Sequence, residues 1–228
     1  MRGRLLFALI SIVLTAARAV AQTDQPYHGQ PVEMTTSMAV DVDGAPNAYG
    51  PKDKPTLDYE LNAHEGARLS GKIVGYLTEG GHPVLQGPKD PYAGYYISTT
   101  GFADEMNVNL HDPRRYLDAS KVNYVVLGRL ARQKHVVLGD FAAVHSTATG
   151  KSVYAIVGDS GNSSGAEGSL ALLQALGYPF TNGKSDSVHK KEIIIRYFPG
   201  SNPGHTFYPA QEQIDKRAAA LGLDKTFR

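Results

Sequence analysis

A mainly β fold, a barrel or sandwich with a few appended helices, is what this chain predicts. Three observations carry that expectation. Short runs rich in Val, Ile, Tyr and Phe recur between Gly, Pro, Asn and Asp turn signals. Only two segments carry helical signals, and both fall late in the chain. No internal repeat period is visible, so the strands belong to one layered core rather than an array.

The elements follow in order. Arg2 and Arg4 precede an apolar run from Leu5 to Ala17, and Ala19-Val20-Ala21 supplies a small-x-small cleavage site. This layout predicts a secretory signal peptide over 1–21, too short and too early to span a membrane in the mature protein. Residues 22–228 are then expected to form a single domain, secreted or periplasmic, monomeric and free of the membrane once the signal is removed. Residues 22 to about 33 are polar and loose. Met34 to Ala67, rich in Pro, Gly, Asp and Asn with apolar residues spaced singly, predicts irregular structure around a core. Strands are expected at Lys72–Leu77, Pro83–Gln86, Tyr95–Thr99, Val122–Leu127, Val136–Leu138, Phe141–His145, Val153–Val157 and Ile193–Tyr197. Helices are expected at Glu167–Leu176 and at Ala210–Leu221 after Pro209.

Composition removes several functions. The chain has no cysteine, which excludes disulfide scaffolds, thiol catalysis and thiolate metal sites. Charge is uneven: Gln22 to Asp118 holds 14 acidic residues against 7 basic, whereas Ala119 to Arg228 holds 8 against 13. The local candidates for a basic stripe, Arg114-Arg115 and Lys190-Lys191, are too little for a nucleic-acid partner. The eight histidines show no HExxH and no i, i+4 pair. Asp41-Val42-Asp43-Gly44 resembles the middle of a calcium loop, but Ala39 and Gly50 stand where the first acid and the closing glutamate belong, so an Asp-rich turn fits better. No glycine-rich nucleotide loop is present. No metal and no cofactor are expected.

The chemistry concentrates between Lys151 and Tyr178. An apolar strand ends on Asp159, a run of Ser, Gly, Asn and Ala follows, and Glu167 opens an apolar stretch. Gly158-Asp159-Ser160-Gly161 matches the surroundings of a serine-protease nucleophile. The possible partners His64 and His145 lack the Ala-His-Cys setting, however, and the chain after Ser160 runs into a helix. The two carboxylates suit another reaction. Inverting glycoside hydrolysis needs an acid and a base about 6.5–9.5 Å apart. The loop permits that gap without fixing it. Both acids are also explained without catalysis, Asp159 as a turn former and Glu167 as a first-turn acid. A helix start favours the anion of Glu167, which opposes a proton-donating role.

Several motifs in one order resemble glycoside hydrolase family 75, the fungal-type chitosanases. They are Gly94-Tyr95-Tyr96-Ile97-Ser98-Thr99-Thr100, Asp112-Pro113-Arg114-Arg115-Tyr116-Leu117-Asp118-Ala119, Tyr124-Val125-Val126-Leu127, Gly139-Asp140-Phe141-Ala142-Ala143-Val144, Ala155-Ile156-Val157-Gly158-Asp159 and Ala166-Glu167-Gly168-Ser169-Leu170-Ala171-Leu172. Together they span about Asp43 to Gly200. The resemblance implies a six-stranded double-psi β-barrel-like core with a few peripheral helices. It implies an endo-acting, inverting hydrolase of β-1,4-linked glucosamine in chitosan, with Asp159 as general base and Glu167 as general acid. Ala166 stands where the family has Gly, and Gly161-Asn162 where it has Gly-Pro.

A polycationic substrate calls for further acids to pair with its amines. Asp118 and Asp140 lie in matching motifs and are the expected substrate-binding acids, with Asp41 and Asp43 as further candidates. Tyr95, Tyr96 and Tyr116 could stack on sugar faces, although strand tyrosines also serve as packing. Two other functions fit the same reading: a hydrolase or lyase of another amino-sugar polymer such as peptidoglycan, and a non-catalytic polysaccharide-binding envelope protein.

Overall fold

The computed structural model describes residues 25–69, 71–161 and 164–227. The expected signal segment lies outside the described residues. Among those described, no helix is long and apolar enough to cross a membrane.

The first strand, β1 (Val32–Asp41), falls inside the region expected to be irregular. Its apolar residues alternate as Val32 and Met34, then Met38 and Val40, and the pairing with its neighbour slips between Thr36 and Met38. The slip breaks the period-two signal that would have marked the strand. Two small antiparallel pairs follow, β2 (Arg68–Leu69) with β3 (Lys72–Ile73) and β4 (Thr78–Glu79) with β5 (His82–Pro83). Next come β6 (Tyr124–Val126), helix α1 (Arg129–Gln133), β7 (Phe141–Ser146) and β8 (Ser152–Asp159). The chain continues through β9 (Glu167–Ser169), α2 (Leu170–Ala175), β10 (Ser187–Phe198) and α3 (Gln211–Ala220).

Six of these strands close into a barrel in the order β1-β10-β7-β8-β6-β9, with β9 returning to β1. The fold is therefore mainly β, a closed six-stranded barrel with few helices, as the sequence predicts. The β8–β6 and β9–β1 pairs are parallel and the others antiparallel. Closure removes free edges and sets the ends of distant strands side by side.

Burial explains which strands were legible. Phe141 to Val144 on β7 and Ala155 to Val157 on β8 have no exposed surface. One face of each looks into the barrel. The other is covered, at β8 by α3, which buries Ile214 and Ala218. Strands buried on both faces read as continuous apolar runs. The opposite case is β10, where His189, Lys190 and Lys191 are exposed within the stretch that the β1 register skips.

Two expected strands have other roles. Tyr95–Thr99 forms isolated bridges, Leu85 to Tyr96 and Tyr76 to Ser98, and Val136–Leu138 is part of the turn after α1. The expected helix at Glu167 begins later. Residues 167–169 form a strand between β1 and β6, and Ser169 caps α2, its Oγ accepting the Leu172 N–H at 3.1 Å.

Candidate active site

The barrel register brings Asp159 and Glu167 to opposite sides of one residue. On one side of β6, Val126 pairs with Asp159 at the end of β8, and the Leu127 N–H donates to the Asp159 carbonyl at 2.6 Å. On the other side, Val125 opposes Gly168 antiparallel, so Val126 lies level with Glu167. Two strand spacings separate the Asp159 and Glu167 backbones, roughly 9–10 Å. The row continues onto β1, where Ala39 pairs with Glu167 and Asp41 lies two residues further along the same face. A close crossing of backbones supports the arrangement: a Cβ on Gly128 would stand 2.5 Å from the Gly165 nitrogen. Glycine at both positions lets the 164–166 segment pass the end of β6.

A cleft of about 520 Å³ opens here, lined by Asp41, Asp43, Asp58, Asp159 and Glu167 together with Lys72. Asp41, Asp43 and Asp159 each direct one carboxylate oxygen into a space where all three lie within 4.8 Å of one another. Like charges so close, in a recessed site, resist simultaneous ionisation. Burial raises the Asp41 carboxyl well above the usual carboxylate range, and Asp43, Asp159 and Glu167 push the same way. Burial also raises Asp43, helped by Asp159 and opposed by the Tyr49 hydroxyl, which donates to Asp43 Oδ1 at 2.7 Å. Burial raises Asp159 too. It is opposed there by the N–H groups of Ser160 and Gly101, which donate to Oδ1 at 2.6 and 2.8 Å, and by the Lys72 charge. Asp159 Oδ2 carries no hydrogen bond among the described residues, and Asp159 lines the cleft.

Asp41, Asp43 and Asp159 are also the group among the described residues whose ligand atoms are spaced to hold a metal ion. Three oxygens fall short of the about six to eight that calcium takes, so water or substrate would have to complete such a shell.

The expected residues divide clearly. Asp159 and Glu167 share the cleft, and Asp41 and Asp43 join them because β1 closes the barrel beside β9. Asp118, Asp140, Tyr95 and Tyr96 are not among the described residues lining it. Asp118 locks the turn before β6, accepting from Ser120 N–H at 3.0 Å and pairing with Lys121 at 3.0 Å. Asp140 accepts the Val137 and Gly200 N–H groups at 2.9 and 2.8 Å. Tyr95 donates its hydroxyl to the Pro55 carbonyl, and Tyr96 donates to Glu60 while packing on Tyr76. Tyr116 is buried and bonds the Leu110 carbonyl. All five of these side chains have partners within the fold. Ser160 and His64 line the cleft without a mutual hydrogen bond, while His145 bonds Ser152 and stacks on Phe227.

Sequence reasoning missed Tyr49, Asp58, Lys72 and Gly101. Each lies far from Asp159 in sequence, Lys72 in an expected strand and the others in segments without strand or helix signal, so only the folded chain relates them to Asp159. No family model matches this chain, and comparison with curated proteins likewise finds no match.

Proposed function

We propose that this protein is an inverting glycoside hydrolase acting on chitosan, with Asp159 as general base and Glu167 as general acid. The observation that carries the proposal is the row Asp159–Val126–Glu167 across three adjacent strands at one cleft. The two side chains flank Val126 at the cleft on backbones roughly 9–10 Å apart, a spacing of the same order as the about 6.5–9.5 Å between carboxyl groups that admits a sugar unit and one water. Asp159 Oδ1 is held by two N–H groups, and Oδ2 takes the proton of that water. Oxygen then attacks the anomeric carbon from the face opposite the leaving group. Glu167 protonates the departing glycosidic oxygen, and the product has inverted configuration. Glu167 stands on β9, outside the first turn of α2, so the macrodipole objection to a proton donor there is weakened.

The acid-rich wall favours a cationic polymer, because Asp41, Asp43 and Asp58 can pair with glucosamine ammonium groups. Lys72, Arg132 and His64 line the same cleft and favour a second reading, an amino-sugar polymer that also bears carboxylates, such as peptidoglycan.

The test is reducing-end release from chitosan, acetylated chitin and peptidoglycan by the wild type, Asp159→Asn and Glu167→Gln. Chitosan turnover that falls about 10²–10⁴-fold in each variant is expected. Turnover that both substitutions leave intact overturns the assignment. Binding without turnover by the wild type supports a non-catalytic polysaccharide-binding protein.

A further inference from the structure

Asp58, which lines this cleft, and Tyr59, the next residue, form a ledge that the acid–base pair does not use. Asp58 is only 7 % exposed, and both its hydrogen bonds fall on Oδ1, from the Tyr59 N–H and from Asn62 Nδ2, each at 2.7 Å. Oδ2 has no hydrogen bond or ion pair among the described residues, and Asp58 lines the cleft. A nearly buried carboxylate oxygen left open toward a cleft asks for a charged donor. The adjoining Tyr59 ring is 57 % exposed, and the Lys184 ammonium lies over it, 5.1 Å from the centroid, without forming an ion pair with Asp58. That is cation–π distance.

Lys184 is held there by its loop. The Gly183 N–H donates to the Leu57 carbonyl at 2.9 Å, and Asp186 Oδ2 accepts the Thr181 and Asn182 N–H groups. Gly183 also keeps the ledge open, since a Cβ there would stand 3.1 Å from Asp58 Oδ2.

We propose that Asp58 Oδ2 and the Tyr59 ring form an ammonium subsite for one amino-sugar unit, and that Lys184 is a tethered cation which the substrate amine displaces. The inference rests on the amino-sugar reading above. The Lys184 ammonium lies over the ring within the field of the Asp58 carboxylate but forms no ion pair with it, so a substrate ammonium seated between the two gains the Oδ2 contact that Lys184 lacks. An acetamido group carries no positive charge to pair with Oδ2 or to attract the ring face, so the subsite selects free amine over N-acetyl at this position. Lys184 already demonstrates that the ring accepts an ammonium, and it competes with substrate for the same field.

The experiment measures calorimetric binding of a glucosamine trimer and of its fully acetylated counterpart to full-length Glu167→Gln. The same measurement is made on that variant carrying Lys184→Met, Asp58→Asn or, as a distant exposed control, Lys191→Met. Lys184→Met is expected to tighten the free-amine trimer roughly two- to fivefold and leave the acetylated trimer unchanged. Asp58→Asn, which retains the Oδ1 contacts, is expected to weaken the free-amine trimer about tenfold. Lys191→Met should change neither. The subsite is overturned if Lys184→Met weakens or does not alter trimer binding, if Lys191→Met tightens it equally, or if Asp58→Asn has no effect. Wild-type chitosan hydrolysis, assayed in parallel, separates the two proposals. Hydrolysis without tightening removes only the subsite, tightening without hydrolysis removes only the catalytic reading, and the loss of both removes both.

Discussion

Gly101 holds Asp159 through one backbone hydrogen bond of 2.8 Å and has no room for a side chain of its own. A Cβ at this position would stand 2.9 Å from Asp159 Oδ1 and 3.2 Å from Ser160 Oγ. Gly101→Ala must therefore displace the carboxylate, while the barrel beneath has no reason to change. Activity is expected to fall about 10²-fold, as misplacing a reacting group by an ångström does. The midpoint of thermal unfolding should move little. A variant that keeps full activity would show that Asp159 need not be held where it stands.

The crowded acids predict how stability depends on pH. In the fold Asp41 and Asp43 have carboxyls raised well above their ordinary value of 3.8, chiefly by burial. A raised carboxyl stabilises the fold when protonated. Its contribution is complete below the unfolded pKa and is lost as pH rises through the folded one. The unfolding midpoint should therefore decline as pH increases from about 4 toward neutrality. Asp43→Asn keeps an acceptor for Tyr49 and removes one negative charge. At pH 7 it should raise the midpoint by about 2–4 °C for each kcal/mol regained, a gap that closes in acid. Equal midpoints at pH 7 would mean that the two acids are not opposed in the fold.

Asp140 separates a structural acid from a substrate-binding one. It ties the turn after α1 to the end of β10 through the Val137 and Gly200 N–H groups. Removing its nearly buried carboxylate leaves these part-buried donors without that partner, at no more than about 1–3 kcal/mol each. Asp140→Ala is expected to lower the unfolding midpoint by several degrees and leave kcat/KM within about twofold at 25 °C. A raised KM with an unchanged midpoint would instead place Asp140 at the substrate.

The sequence made β7 and β8 legible because both are buried on two faces and read as unbroken apolar runs. It also made Asp159 and Glu167 legible as a pair, since one short loop joins them. The strand β1 was not legible, because the slip at Thr36–Met38 interrupts its alternation. Glu167 was assigned to a helix because Leu170 to Leu176 is apolar at helical spacing. Its strand exists only through pairing with β1 and β6, which local sequence does not encode. The convergence of Asp41 and Asp43 on Asp159 has the same origin. Parallel closure of β9 on β1 joins distant segments, so two residues that read as a turn stand beside a candidate base. Asp118 and Asp140 sit in recognisable motifs, and in the fold they hold turns and do not line this cleft.

Lys72 supplies the last prediction, through the charge it places near the proposed base. Burial raises the Asp159 carboxyl, and Lys72 is the cation that pulls it back. Asp159 must be ionised to accept a proton from water, so the acid limb of the kcat/KM profile follows its pKa. Lys72→Met removes the cation and keeps much of the apolar stem, so the carboxyl rises and the acid limb moves to higher pH. The lysine is exposed, and solvent screening limits an exposed pair to about 0.2–1 kcal/mol, which moves the limb by about 0.7 pH unit or less. The effect should shrink further as salt is added, because exposed charges are screened within about 10 Å at 0.1 M ionic strength. Above the limb, where Asp159 is fully ionised in both proteins, the rates should converge. A uniform loss of rate across all pH would place Lys72 on the substrate rather than on Asp159, and a limb displaced to lower pH would contradict the electrostatic role altogether.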